Sequence, residues 1–155
     1  MVGMRAAEIC GRTFLDFDAE IERREGMQIS QIFGEHGEHY FRQRERALTE
    51  ELRETGGMLL SPGGGWIANP DVVALLRPPG RLIYLKVRPE TALKRMGKRR
   101  ELRPLLMRAN PLDEIRTLYE TRRPLYEGAD LTIETERLTL QEVTEQVVAL
   151  ATELR

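Results

Sequence analysis

The segment MLLSPGGGWIANPDV, residues 58–72, places a short apolar run directly before three consecutive glycines and a helix start marked by proline. The apolar run is typical of a buried strand, and Pro70 suits a first helical turn, where its missing amide would have no partner anyway. Three glycines remove every side chain from the turn, so a small ligand can lie against backbone amides there. The segment therefore predicts a strand, a ligand-accessible turn and a helix.

The same alternation of strand and helix signals extends along the chain. Short apolar runs predict strands at residues 14–17, 58–61, 82–87 and 131–134, with a shortened further strand at residues 2–4. Helical spacing predicts helices at residues 5–10, 19–24, 30–36, 38–55, 70–76, 89–96, 111–122 and 140–154. Ser30 can cap one of them, and Pro89 and Pro111 suit first turns. Strands alternating with helices indicate an α/β protein with a parallel sheet.

Length and charge limit the classes of protein that fit. A chain of 155 residues with 41% hydrophobic content predicts one domain, residues 1–155. Acidic and basic residues number 25 and 24, so no global field recruits nucleic acid or an anionic membrane. The basic stretch at residues 94–103 lacks interleaved aromatics, which also argues against a nucleic-acid site. No run is long enough for a membrane span or signal peptide, and the lone Cys10 cannot form an internal disulfide, so we expect a cytoplasmic protein.

Two carboxylates stand where the predicted strand at residues 14–17 ends. Ligands of open α/β sheets bind beyond the carboxyl ends of the strands. Asp16 and Asp18 could there hold the water shell of a metal ion and accept substrate hydroxyls. The alternative is that Asp18 only caps the helix predicted at residues 19–24. The two residues alone leave both interpretations open.

Three arginines lie in distinct contexts, namely Arg42, Arg103 and Arg122. The planar guanidinium presents a fork of donors that matches carboxylates and phosphates. Each arginine taken alone fits a solvated surface charge equally well. Their functional interpretation depends on the pattern of motifs around them.

Taken in order, these motifs resemble the shikimate kinase family. The resemblance covers nearly the whole chain from Arg5 onward. It rests on FLDFD at residues 14–18, IFGEHGEHYFR at 32–42, GGG at 63–65, RPLL at 103–106, RRPLY at 122–126 and AD at 129–130. It implies a three-layer α/β/α fold of the nucleoside-monophosphate-kinase type, with a central five-stranded parallel sheet whose first strand is truncated here. It also implies a monomer with a mobile lid around residues 96–110.

The resemblance implies an enzyme that phosphorylates the 3-hydroxyl of shikimate with ATP and Mg²⁺ in aromatic amino-acid (chorismate) biosynthesis. Asp18 would stand beside the attacking hydroxyl, and Arg42 and Arg122 would bind the shikimate carboxylate. These three would be joined in the substrate site by the glycines of the turn, Gly63, Gly64 and Gly65.

The resemblance also implies a nucleotide site. Arg103, in the basic lid, would fold over the transferring phosphoryl group, while Arg95 and Arg137 would border the adenine. Asp16 would help hold Mg²⁺ through water. A lid arginine and Mg²⁺ suit phosphoryl transfer, which depends on positioning and on neutralising the equatorial oxygens.

The phosphate-binding signature Gly-x-x-x-x-Gly-Lys-Ser/Thr does not occur in the 155 residues. Residues 1–4 resemble the end of the family's first strand and residues 5–11 the helix after the phosphate loop, so the loop is predicted to be missing between Met4 and Arg5. Two functions follow as hypotheses. One is a shikimate kinase, and the other is a shikimate-binding protein that has lost its nucleotide site.

Overall fold

The computed structural model describes residues 2–77, 80–96 and 111–153. Within these ranges four short strands alternate with helices. The strands are β1 (Thr13–Asp16), β2 (Met58–Ser61), β3 (Ile83–Lys86) and β4 (Leu131–Glu134). The α-helices are α1 (Val2–Cys10), α2 (Phe17–Glu25), α3 (Ile29–Leu52), α4 (Pro70–Val73), α5 (Pro89–Met96), α6 (Pro111–Glu127) and α7 (Leu140–Glu153), with a 3₁₀ turn at Trp66–Ala68.

The strands pair in parallel, which confirms the α/β class. Strand β1 lies beside β2, with Thr13 opposite Met58, and β3 lies beside β4, with Ile83 opposite Leu131. Within the described residues these are two separate two-stranded sheets. Parallel neighbours require crossover connections, and the long segments that carry α2 and α3, and α5 and α6, supply them.

Helix α1 differs from the prediction. The strand predicted at residues 2–4 was wrong, because Val2–Cys10 is one continuous helix. Met4 and Arg5 are successive residues of that helix, so the chain has no turn at the point where the phosphate loop was predicted to be missing. Gly3 belongs to the helix for a packing reason, since a Cβ atom there would lie 2.6 Å from Cε2 of Phe14. The close approach of α1 to β1 therefore leaves no room for a side chain at position 3.

An apolar cluster joins the two strand pairs. Leu59 of β2 and Ile83 of β3 pack into the same cluster as Ile133 of β4. Ala6 of α1 and Val147 of α7 belong to it as well. Helices α1 and α7 thus contribute to the apolar cluster that connects the two strand pairs. No helix in the described part of the chain is long and apolar enough to cross a membrane.

Several helix boundaries differ from the prediction, and two of them have a clear physical reason. Ser30 does not cap α3, because the helix already begins at Ile29 and Gln28 forms a capping box with Gln31. Helix α6 continues past the predicted end at residue 122 to Glu127, with Pro124 inside it. The residue after this proline packs against the core of α2 and α3. Tertiary packing therefore outweighs the local preference of proline for ending a helix.

Candidate active site

A cavity of about 460 Å³ opens at the carboxyl ends of β1 and β2. One wall of it carries polar groups, and a longer wall is apolar. The residues predicted to hold shikimate all line this cavity, namely Asp18, Arg42, Gly63, Gly64, Gly65 and Arg122. They come from α2, α3, the turn after β2, and α6. The fold therefore brings together side chains that are up to 104 positions apart in the sequence.

The turn at residues 63–65 is fixed through its carbonyl oxygens. The carbonyl of Gly63 accepts the amide of Trp66 at 3.1 Å, and that of Gly65 accepts the amide of Ala68 at 3.1 Å. The carbonyl of Gly64 accepts Nη1 of Arg122 at 2.6 Å. Because all three bonds use carbonyls, the turn can present amides to a ligand while its backbone stays in place. The third bond also orients Arg122 at the cavity.

Two of these glycines are needed for the packing of the protein itself. A Cβ atom on Gly63 would lie 2.5 Å from Oδ1 of Asp18, and one on Gly65 would lie 2.6 Å from Nη1 of Arg42. Real Cβ atoms do not approach so closely, so any side chain would displace the carboxylate or the guanidinium. The sequence indicated room for a ligand at this turn. The structure adds that the glycines let Asp18 and Arg42 lie directly against the backbone.

Arg42 is held by a carboxylate that the sequence argument missed. Its Nη1 lies 2.5 Å from Oε1 of Glu45, whose side chain is only 2% exposed, and its Nη2 lies 3.2 Å from Oε1 of Glu38. Burial raises the pKa of the Glu45 carboxyl, against the lowering effect of the bond from Arg42. A signal existed, because an acid three positions after an arginine on a helix can pair with it.

The two aspartates occupy different positions at the start of helix α2. Helix α2 begins at Phe17, so Asp16 is its N-cap and accepts the amide of Ala19 at 3.3 Å. The alternative that Asp18 caps this helix was therefore wrong. Asp18 is the second residue of α2 and lines the cavity. In the described part of the chain, no group of three or more His, Cys, Asp or Glu residues is placed to hold a metal ion.

The residues predicted to border the nucleotide are described only in part. Arg95 donates from Nη1 to Oγ1 of Thr135 and from Nη2 to the carbonyl of Thr135, both at 3.0 Å. Arg137 lies two residues after Thr135, exposed on the turn that follows β4. Arg95 therefore binds the same loop that contains Arg137. Arg103 and the predicted lid, apart from Met96 at the end of α5, lie outside the described residues.

The apolar wall of the cavity follows the edge of β3. Consecutive residues 82–85 all line it. Successive strand side chains point to opposite faces, so a cavity that touches all of them lies against the strand edge that β4 leaves open. Tyr84 stacks on Tyr126 at 4.7 Å between ring centroids, and burial raises its pKa above the usual range for tyrosine. Space suitable for a bulky ligand therefore continues beyond the polar end.

Comparison with known proteins identifies relatives of the whole chain. The family model for shikimate kinase matches residues 1–152. The shikimate kinase of Caldanaerobacter subterraneus subsp. tengcongensis is 38% identical over 147 residues, which cover 95% of this chain and 85% of that protein. The shikimate kinase of Thiobacillus denitrificans is 42% identical over 144 residues, 92% of this chain and 78% of the relative.

Solved structures give the same result. The shikimate kinase from Acinetobacter baumannii in complex with shikimate superposes with a TM-score of 0.90 at 38% identity, covering 98% of this chain and 85% of that one. The shikimate kinase from Aquifex aeolicus gives a TM-score of 0.81 at 36% identity, covering 98% and 88%. Sequence and fold agree over nearly the full length, and the chain belongs to the shikimate kinase family.

Proposed function

We propose that this chain is a shikimate kinase, which transfers the γ-phosphoryl group of ATP to the 3-hydroxyl of shikimate. The observation that carries the proposal is the convergence of Asp18, Arg42 and Arg122 on the glycine turn in one cavity. Shikimate is a hydroxylated ring that bears a carboxylate. One acceptor, two guanidinium forks and accessible amides match those groups.

In the proposed complex each polar group has a separate task. Arg42 and Arg122 bind the carboxylate and set the orientation of the ring, while the amides of the turn receive ring hydroxyls. Asp18 lies beside the attacking hydroxyl and accepts its proton as the bond to phosphorus forms. Glu45 keeps Arg42 directed at the cavity, since their contact of 2.5 Å leaves the guanidinium little freedom.

We further propose that Arg95 and Arg137 border the adenine and that Arg103 contacts the transferring phosphoryl group. Mg²⁺ would be held through water by Asp16, whose carboxylate is exposed and uses one oxygen for the amide of Ala19. The ion supplies charge neutralisation at the phosphoryl oxygens when bound. We assign the reaction to chorismate biosynthesis in the cytoplasm, carried out by a monomer without nucleic-acid or membrane partners.

A second candidate function is shikimate binding without phosphoryl transfer. It is favoured by the absence of Gly-x-x-x-x-Gly-Lys-Ser/Thr from the 155 residues. That signature cradles phosphates through backbone amides and a lysine. The signature supplies several charge-assisted bonds of about 1.5–3 kcal/mol each. Its loss should therefore weaken nucleotide binding by more than ~10³-fold.

Calorimetric titration of the mass-verified chain with shikimate, and separately with Mg-ATP, decides between the two functions. A coupled phosphotransfer assay follows. Binding of both ligands with formation of product supports the kinase. Shikimate binding without Mg-ATP binding supports the second function, and failure to bind shikimate overturns both.

A further inference from the structure

Trp66, the only tryptophan of the chain, lies at the point where the glycine turn becomes a helical turn. Its side chain is buried, yet it also lines the cavity. Its amide donates to the carbonyl of Gly63 at 3.1 Å, which closes the turn. Trp66 has no task in the proposed phosphoryl transfer.

The indole ring is bonded to the helix that carries Arg42. Nε1 of Trp66 donates to Oγ1 of Thr49 at 3.1 Å, and that hydroxyl donates in turn to the carbonyl of Glu45 at 2.8 Å. Both partners of the indole bond are buried. A buried N–H without an acceptor costs free energy, so the bond fixes how α3 sits against the turn. Glu45, one helical turn before Thr49, is the residue that holds Arg42.

The indole ring of Trp66 also contacts helix α2. Trp66 meets the ring of Phe17 edge-on, with centroids 6.2 Å apart and planes at 74°. Phe17 directly precedes Asp18, and its side chain is completely buried. Aromatic pairs in this arrangement are favourable beyond their buried area. One side chain therefore contacts three of the four segments that carry the polar groups of the site, namely α2, α3 and the glycine turn.

We infer that Trp66 is a positioning residue of the substrate site, which sets the distance between the glycine turn and Arg42 through its bond to Thr49. The inference rests on the proposed function, because it concerns the affinity of the same site for shikimate. The competing explanation is that Trp66 only fills space in the core.

A pair of variants at Thr49 separates the two explanations. Thr49→Val keeps the shape of the side chain and removes the hydroxyl, whereas Thr49→Ser keeps the hydroxyl and removes the methyl group. Loss of the bond should weaken shikimate binding about tenfold in Thr49→Val, as expected for one net hydrogen bond. Thr49→Ser should stay within about twofold of the parent chain.

Three further variants complete the test, namely Trp66→Phe, its combination with Thr49→Val, and Thr144→Val. Trp66→Phe keeps the ring against Phe17 and deletes the N–H from the other side, so it should weaken shikimate binding as Thr49→Val does. The double variant should be no weaker than either single one, because both remove one bond. Thr144→Val is the matched control, since Thr144 is also buried in a helix with its hydroxyl bonded to a carbonyl four residues earlier, at 2.7 Å.

The measurements are calorimetric affinity for shikimate and the position of the single indole N–H signal in a ¹⁵N-correlated NMR spectrum. A weaker affinity together with a moved signal in Thr49→Val, and neither in Thr49→Ser or Thr144→Val, supports the inference. It is overturned if Thr49→Ser binds more weakly than Thr49→Val, or if the indole signal is the same in Thr49→Val and the parent. If the parent chain itself does not bind shikimate, the proposed function fails, while the indole signal still reports whether the bond exists.

Discussion

Gly65 shows how much of the site depends on a missing side chain. Gly65→Ala would place a methyl group 2.6 Å from Nη1 of Arg42, so the guanidinium must move away from the turn. We expect shikimate affinity to fall about 10- to 100-fold, the effect of one or two charge-assisted bonds to a carboxylate. Calorimetric titration of the purified variant measures the change.

Gly56→Ala is the control for this substitution. Gly56 lies before β2, outside the cavity, and a Cβ atom there meets nothing within 4 Å. Its shikimate affinity should equal that of the parent chain. Equal affinities in Gly65→Ala and Gly56→Ala would show that Arg42 does not contribute to binding from its position against the turn.

At the scale of elements, helix α3 contains a break that fixes the direction of its two parts. Gly37 has φ 84° and ψ 168°, inside a helix that otherwise runs from Ile29 to Leu52. Only glycine adopts this conformation without strain. Gly37→Ala should lower the free energy of unfolding by about 1–3 kcal/mol, as measured by urea denaturation, because the space around Gly37 is open and strain is the only cost.

Gly34→Ala tests that explanation in the same helix. Gly34 also has no atom within 4 Å of an added Cβ, but its φ is not positive. Alanine should leave stability unchanged or raise it by about 0.5–1 kcal/mol, since it is the better helix former. If both variants lost the same stability, the cost would not come from the backbone conformation at Gly37.

The loops after β3 and β4 are joined by Glu136. Its carboxylate accepts Oγ1 of Thr91 at 2.5 Å and Nη2 of Arg88 at 2.9 Å. These bonds lower the pKa of Glu136 from its ordinary value near 4.5 to about 2, with Thr91 the larger cause. A carboxyl group whose pKa is lowered in the folded state stabilises the fold fully above its ordinary pKa. This stabilisation is lost as the pH falls toward 2.

We therefore expect Glu136→Gln to lower the thermal unfolding midpoint at pH 6, with a difference from the parent that narrows steadily between pH 4.5 and pH 3. Glu134→Gln, at an exposed carboxylate on β4, is the control and should show only a small difference at pH 6. A difference for Glu136→Gln that stayed constant down to pH 3 would contradict the assigned bonds.

How far the sequence predicts these elements depends on whether local signals decide them. Strands at residues 58–61 and 131–134 have the predicted bounds, since an apolar run between turn signals needs no distant information. The continuation of α6 to Glu127 depends on packing against residues far away in the chain, such as the stack of Tyr126 on Tyr84. Trp66 was missed for the same reason, because its role arises only when α3 meets the glycine turn, whereas the spacing of Glu45 from Arg42 was a local signal.

For the whole molecule, the predicted α/β class was confirmed, but the arrangement of strands in space could not come from composition or spacing. The two parallel pairs are joined through the apolar cluster under α1 and α7 rather than through hydrogen bonds between β2 and β3 in the described residues. The cavity runs along the open edge of β3. A sheet edge with unpaired amides and carbonyls can accept a further strand.

This open edge leads to a gain-of-function prediction. A strand followed by Gly-x-x-x-x-Gly-Lys-Ser, fused directly before Val2, would supply an extended segment for the edge of β3 and a phosphate cradle at the start of α1. We expect affinity for Mg-ATP to rise by at least ~10³-fold over that of the 155-residue chain, from several charge-assisted bonds. Shikimate affinity should stay within about twofold, because the polar end of the cavity is already formed.

The matched control is the same fusion with its signature lysine replaced by methionine, which keeps the strand and removes the charge that stabilises phosphoryl transfer. Titration with Mg-ATP and the coupled phosphotransfer assay are run on all three chains. A high rate of shikimate phosphorylation by the 155-residue chain itself would show that its own residues suffice for phosphate binding. No gain in the fusion would show that the open edge of β3 does not accept a strand.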